Sequence, residues 1–413
     1  MKLFSEFAYE EELYLSEEKN THMTHLENSV IYGGVAGAKQ AIDALRDVRD
    51  MLSGKKASSI STKWDGAPAI FAGTDPSDGQ FFVAKKGIFN KNPMVYKTPA
   101  EVDADTSGDL AVKLKLALKY LPSLGIKGVV QGDFLYARKD LKTETISGQK
   151  YLTFHPNTIV YAIPADSKLA KTLKRSKIGI VWHTSYTGNS FETMKAQYGK
   201  PVNIKSTTDV WSNDAFVQDA SAATLTSAET KRVNELISEI GRVFNTVAGD
   251  TLRALEKNPE LQRDIETYDN RFVRAQTRFM TPKKRTEGLI KFIQAKYKKE
   301  IDKRKTEKGK NAQVSKLQAH LEFFSPKNRK SIENMFTLQV LMIKAKILLV
   351  RKLNQISELD TFVRTKDGFR VTSPEGFVAV DSLGGNAVKL VDRMEFSYTN
   401  FSPDVVKGWQ RLK

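Results

Sequence analysis

Residues 59–71 read Ser59-Ile60-Ser61-Thr62-Lys63-Trp64-Asp65-Gly66-Ala67-Pro68-Ala69-Ile70-Phe71, and the fold turns on how they are interpreted. A β-prone lead-in delivers a lysine, an Asp-Gly pair makes a turn, and a second apolar strand follows. Side chains alternate along a strand, so Lys63 and Asp65 point to the same side: an ammonium and a carboxylate at a strand end. Taken alone, Lys-x-Asp-Gly is equally a plain hairpin turn with a surface lysine. The remaining sequence has to separate the two readings.

The chain has 413 residues, 40% of them hydrophobic and 9% aromatic, which are globular values with room for two domains or one domain carrying an insertion. It has no cysteine, so disulfides, thiolate catalysis and zinc ribbons are excluded together. The N-terminus turns acidic without an apolar stretch, which predicts no signal peptide. The most apolar run, Phe336 to Val350, is broken by Lys344 and Lys346 and is too short to span a bilayer. A cytoplasmic protein with no membrane partner is expected. His22-x-x-His25, with His155 and His183 elsewhere, has no metal-ligand spacing.

Net charge is +17, unevenly spread. Between Arg271 and Asn311 there are 15 Lys/Arg against 4 Asp/Glu, so +11 of the +17 lies in about a tenth of the chain. Such an excess points to a polyanion, most simply nucleic acid. The alternative is a solvated helix face.

Periodicity divides the chain into three parts. Ala36 to Leu52 has helical spacing closed by Ser53-Gly54. After the Lys63 strand come a Thr74-to-Gly79 turn, a strand from Gln80 to Lys86, a helix from Leu110 to Leu121 and a buried strand from Gly128 to Tyr136. Strands at 158–163 and 178–183 flank a short basic helix, Ser167 to Lys174. From about 224 to 355 long helical periodicity takes over: 233–247, 250–257, 259–277, 283–305, 314–324 and 330–356, with Thr306 to Lys310 as a charged loop. β texture then returns, with a hairpin around Lys366-Asp367-Gly368 and short strands at 377–380 and 387–391 around a turn at 382–386. The pattern predicts an α+β chain in which a domain of antiparallel sheets and helices (1–222 and 357–413) is interrupted by a basic all-helical insertion (223–356).

Further elements follow Lys63 in order. Lys85-Lys86-Gly87 ends the next strand. Gln131-Gly132-Asp133 lies inside an apolar strand, as does Tyr161 in Ile159-Val-Tyr-Ala-Ile163. Ser373-Pro374-Glu375-Gly376-Phe377-Val378 and Val388-Lys389-Leu390-Val391 lie beyond the helical segment. With Lys63-Trp64-Asp65-Gly66 this set resembles the covalent nucleotidyltransferases: ATP-dependent DNA ligases, RNA ligases and mRNA-capping guanylyltransferases. The resemblance covers about 63–183 and 361–393 and is silent on the helical insertion.

The resemblance implies an adenylation-domain fold and a role for each residue. Lys63 would be the nucleophile, with Asp65 and Gly66 among the nucleotide-binding residues. Lys85 and Lys86 would contact the phosphate and ribose side. Asp133 would bind the ribose hydroxyls, where the family usually carries Glu. Tyr161 would stack on the base, with Trp182 as runner-up. Glu375 would position Mg²⁺ or Mn²⁺, and Lys389 would hold the α-phosphate of ATP. The family usually has a second lysine two positions on, where this chain has Val391, and Lys85, Lys86 or Arg393 are the candidates to compensate.

The residue types suit that chemistry. A lysine attacking phosphorus must be neutral, although its ordinary pKa is about 10.4. Neighbouring cations such as Lys85, Lys389 and a divalent metal lower that value. Magnesium prefers oxygen ligands and neutralises phosphoryl charge. In the resembling enzymes AMP then moves to a 5′-phosphate, and a 3′-hydroxyl displaces it to seal the strand.

In the helical segment Phe272, Phe279, Phe292 and Tyr297 are interleaved with basic residues. Arg274, Arg278, Lys283, Lys284, Arg285 and Lys291 are the expected nucleic-acid contacts, and the unit is expected to act as a substrate clamp. Only 24 residues follow Lys389, too few for the oligonucleotide-binding barrel that DNA ligases and capping enzymes place there. The expectation is therefore an RNA-ligase-like ATP-dependent polynucleotide ligase. The alternatives are a DNA nick ligase, or a basic nucleic-acid-binding protein with the fold but without activity.

Overall fold

A computed structural model describes residues 23–357, 359–380 and 387–410. The turn expected at 382–386 lies outside the described residues, as does most of the N-terminal stretch. In chain order the first strands are β1 (Ile60–Lys63), β2 (Ala69–Thr74), β3 (Phe81–Ala84), β4 (Val95–Tyr96) and β5 (Val129–Ala137). Next come β6 (Lys142–Ile146), β7 (Gln149–Phe154), β8 (Ile159–Pro164), β9 (Ile178–Thr187), β10 (Lys195–Gln197) and β11 (Val210–Asp214). The C-terminal part adds β12 (Asp360–Thr365), β13 (Gly368–Val371), β14 (Gly376–Val380), β15 (Ala387–Leu390) and β16 (Val405–Val406). The longer helices are α1 (Gly34–Leu52), α2 (Gly108–Tyr120), α3 (Ser227–Phe244), α4 (Gly249–Glu256), α5 (Pro259–Arg274), α6 (Pro282–Asp302), α7 (Glu307–Phe323) and α8 (Pro326–Leu353). None is long and apolar enough to cross a membrane.

The strands make three sheets. One has the order β1-β14-β15, a second β10-β9-β5-β2-β3-β4 with β11 on β9, and a third β13-β12-β8-β7-β6 with β16 on β12. The β11–β9 ladder is parallel and the other strand ladders are antiparallel. The mixed, mainly antiparallel character expected from the sequence is therefore present. Sequence reading located the 12–13 hairpin through Gly368, which sits at φ +125°, but passed over the 6–7 hairpin, turned by Ser147 and Gly148 at φ +49° and +84°.

Helix ends follow local chemistry. A capping box between Thr226 and Glu229 opens α3, and Asn258 before Pro259 caps α5. The expected charged loop at 306–310 is instead a helix start: the Thr306 hydroxyl accepts from Gly309 N at 3.1 Å and launches α7. Threonine followed by Glu is an N-terminal signature, and here it outweighs local charge.

The helical segment has a core that extends beyond residues 223–356. Its core of Leu236, Ile265, Leu289, Met335 and Met342 continues into Ala41, Leu45 and Val48 of α1 and into Ile60, Phe377, Ala379, Val388 and Leu390 of the three-stranded sheet. A buried ion pair fixes the contact: Lys346 of α8 donates to Glu27 at 2.7 Å, with side chains only 1% and 3% exposed. Burial alone would raise the Glu27 pKa, but Lys346 and Arg393 outweigh it and hold the carboxyl below its ordinary value. Gln339 of α8 donates to the Glu27 carbonyl at 3.1 Å. The N-terminal segment, the helices and the C-terminal strands thus close over one apolar interior.

Candidate functional site

The three-stranded sheet has two unlike faces. Ile60, Phe377, Ala379, Val388 and Leu390 enter the helical core, and the period of two turns the intervening residues the other way. Ser61 pairs with Val378, Val378 with Lys389, and Lys63 with Gly376. Ser61, Lys63, Val378 and Lys389 line a cavity of about 250 Å³. Gly376 lies at φ +143°, and a Cβ there would stand 2.5 Å from the Leu390 carbonyl oxygen, so glycine is what lets Lys63 and β15 flank this strand.

The seven-stranded sheet supplies the opposite wall. Ile70, Val130, Phe134, Ile180 and Trp182 pack against α2, while Gln131, Asp133, Val181, His183 and Thr184 face the cavity. Lys86, Trp64, Tyr198 and Met23 complete much of the lining. Residues far apart in sequence therefore bring three lysines, 63, 86 and 389, to one cavity.

Glu375 is the direct partner of Lys63: their side chains form an ion pair and are 11% and 26% exposed. Burial works to lower the Lys63 pKa, but Glu375, Asp133 and Asp65 outweigh it and raise it. Burial pushes Glu375 up to about 7 against the pull of Lys63. Burial likewise pushes Asp133 up to about 7, reinforced by Glu375 and Asp65 and opposed by Lys63 and Lys86. His183, whose Nε2 lies 4.0 Å from Asp133, is lowered to about 4 by burial and by Lys63. The backbone N of Lys389 donates to Thr24 O at 2.9 Å. That contact carries His25 to the site, where burial, then Arg393, Lys346, Lys389 and Lys63 hold its pKa well below normal. With three lysines and Asp133 as the acid among its lining residues, the cavity carries an excess of positive charge that suits an anion.

The other expected site residues lie elsewhere. Asp65 is 4% exposed and does not reach the cavity. Its carboxylate accepts from Asn157 Nδ2 at 2.7 Å and from the backbone N of Thr158 and Ile159 at 2.6 and 2.7 Å, pinning the β1–β2 link to the start of β8. Gly66 is needed for close approach, because a Cβ there would lie 2.5 Å from Asp133 Cβ. Tyr161 is buried, its hydroxyl accepting from Asp65 N at 2.7 Å and its ring stacked on Phe154 at 5.1 Å, so it presents no face to a base. Trp182 is fully buried with its Nε1 on Ser212 at 3.0 Å. The aromatic walls of the cavity are Trp64 and Tyr198, which sequence reading did not select. Trp64 lay in plain view inside the Lys63 motif. Tyr198 sits in an irregular loop with no sequence signal.

Lys85 points away and pairs with Asp105 at 2.9 Å. Val391 is 2% exposed in an apolar cluster with Leu135 and Phe154, which accounts for the missing second lysine: a charge there would be buried without a partner. Arg393 does not compensate, since it is buried and donates to Asn270 of α5. Arg285, expected on nucleic acid, is 1% exposed. It is paired with Asp269, bonded to Gln339 at 3.0 Å, and lies over the Phe336 ring at 4.0 Å. Arg274, Arg278, Lys283, Lys284 and Lys291 are exposed. The expected aromatic Tyr297 belongs to the helical core.

Among the described residues no group of three or more His, Asp or Glu side chains gathers as a metal cage. Asp133 is the acid among the cavity-lining residues and Glu375 reaches the site through its ion pair with Lys63; this donor set fits magnesium, which uses one or two carboxylates plus substrate phosphates. Comparison with curated proteins and with solved structures gives no match. Residues 20–404 match a family of unknown function, DUF6267, and the chain belongs to it.

Proposed function

We propose that this protein is an ATP-dependent polynucleotide ligase of the covalent nucleotidyltransferase type, working through an AMP-modified Lys63. The observation that carries the reading is convergence. Lys63, Glu375 and Lys389 come from both ends of the chain onto adjacent strands of one sheet, with Asp133 and Lys86 facing the same cavity. A hairpin turn with a surface lysine has no need of that arrangement.

In the proposed reaction Lys63 Nζ attacks the α-phosphorus of ATP. A P–N bond forms, the P–O bond to pyrophosphate breaks, and pyrophosphate leaves with the electron pair. Lys63 must first lose a proton, and the group in contact with Nζ is Glu375, so this carboxylate is the first acceptor. Lys86 and Lys389 hold the phosphates, and Trp64 or Tyr198 supplies the aromatic surface for the base. A divalent cation, when bound, neutralises charge on the phosphates, and Glu375 and Asp133 are the residues to hold it. AMP then passes to a 5′-phosphate end and is displaced by a 3′-hydroxyl.

The test is to incubate the protein with Mg²⁺ or Mn²⁺ and α-labelled ATP or GTP, then look for label on the denatured chain. Label from ATP that disappears in Lys63→Ala supports the reading. A folded protein that takes no label from either nucleotide overturns it and favours a non-catalytic nucleic-acid-binding role.

A further inference from the structure

The basic segment folds into α5 and α6, and an open groove of about 1,000 Å³ is lined by residues of both. Arg271 contributes from α5, Lys291, Lys296 and Lys299 from α6 and Lys303 from just past its end, while Glu300 is the acid among the lining residues. Lys291, Lys296 and Lys299 of α6 turn to the same groove, so cations recur at roughly one per turn of about 5.4 Å. Ion pairing neutralises only part of the array: Asp264 holds Lys296, and Glu300 holds Lys303 at 2.8 Å. Arg271, Lys291 and Lys299 are exposed, and no ion pair among the described residues involves them.

The same groove is lined by Tyr268, Phe272 and Phe292. Tyr268 lies 5.2 Å from Phe272 and 5.6 Å from Phe292, ring to ring. The Arg271 guanidinium sits over Tyr268 and Phe292 at 5.9 and 5.5 Å from their centroids. Cations without counter-charges beside part-buried rings suit a ligand that has both phosphates and unpaired bases. An acidic peptide would use only the cations. A duplex keeps its bases stacked inside and could not use the rings.

We propose that the α5–α6 groove binds single-stranded nucleic acid, its phosphates on Arg271, Lys291 and Lys299 and its bases against Phe272 and Phe292. The inference does not depend on Lys63 chemistry. It also moves the contact surface from the cluster around Lys283 and Lys284 further along α6, to the residues that line the groove.

The experiment is fluorescence anisotropy of the full chain with short labelled single-stranded DNA and RNA, without ATP or divalent metal. The triple variant R271A/K291A/K299A is expected to lose at least ~10-fold in affinity and to flatten the salt slope by about 2, at roughly 0.7 per single-strand phosphate contact. The control K168A/K171A/K174A removes the same charge from another exposed helix and is expected to bind like the parent. Should the triple variant fail to fold, Lys299→Glu alone, at an exposed position, must weaken binding. DNA and RNA strands binding unequally would name the preferred sugar within the proposal and support it. Equal loss in the groove and control variants overturns the proposal. So does tighter binding of a duplex, equal competition by poly-glutamate, or no binding by the parent. With no nucleotide triphosphate present, none of these outcomes depends on whether Lys63 reacts.

Discussion

Lys63 and Glu375 form an ion pair across neighbouring strands, with Lys63 opposite Gly376 in the β1–β14 register. The contact holds the candidate nucleophile as an ammonium until the carboxylate takes its proton or is drawn elsewhere. Glu375→Gln removes the strongest influence raising the Lys63 pKa and leaves burial in force, so that pKa should fall. Titration of the dimethylated lysine by NMR reads the shift directly. An unchanged value would mean that Asp133 and Asp65 alone hold the ammonium.

Asp133 gives a pH-dependent stability signature. Its folded pKa, about 7, lies above the ordinary 3.8. Between those values the folded state therefore binds more protons than the unfolded chain, and stability from this group falls as pH rises. Asp133→Asn should melt near the parent at pH 4 and be more stable at pH 8, by about 1–3 kcal/mol. Thermal melts at the two pH values check it, and a variant less stable at pH 8 would contradict the sign.

Asp65→Ala should behave as a folding variant. It leaves two buried backbone N–H groups and the Asn157 amide without their acceptor, a loss of about 2–4 kcal/mol. Denaturant unfolding measures this. If Asp65 instead contacted the nucleotide, stability would hold and nucleotide labelling would fail.

Arg285→Ala should cost about 3–5 kcal/mol, because Asp269 is left buried and unpaired. Binding of single-stranded nucleic acid by the folded protein should stay unchanged. Weaker binding without loss of stability would return Arg285 to the contact surface.

Elements with a strong local signal were legible. Strand patterns placed β1 and β5, helical periodicity placed α1 to α6, the second half of α7 and α8, and the Lys366-Asp367-Gly368 turn placed a hairpin. Lys63, Lys86, Asp133, Glu375 and Lys389 were recognisable as residue types in order, and the structure gathers them. The side chains that lie away from the expected surfaces share one cause. Asp65, Tyr161, Lys85 and Arg285 were assigned by type, but a side chain's direction and partner depend on chain segments distant in sequence.

The sequence by itself determined the alternation that sends Ile60 and Lys63 to opposite faces, the excess of charge in 271–311, and the absence of cysteine chemistry. These depend on residue order and composition alone. Only the tertiary structure decided that Glu375 meets Lys63, that Val391 is enclosed by apolar side chains, and that the helical segment shares its core with α1 and the sheet. Those outcomes come from burial. Once apolar faces from both ends of the chain pack into one interior, the polar groups at its edge are left facing one another, and no local pattern encodes which ones they are.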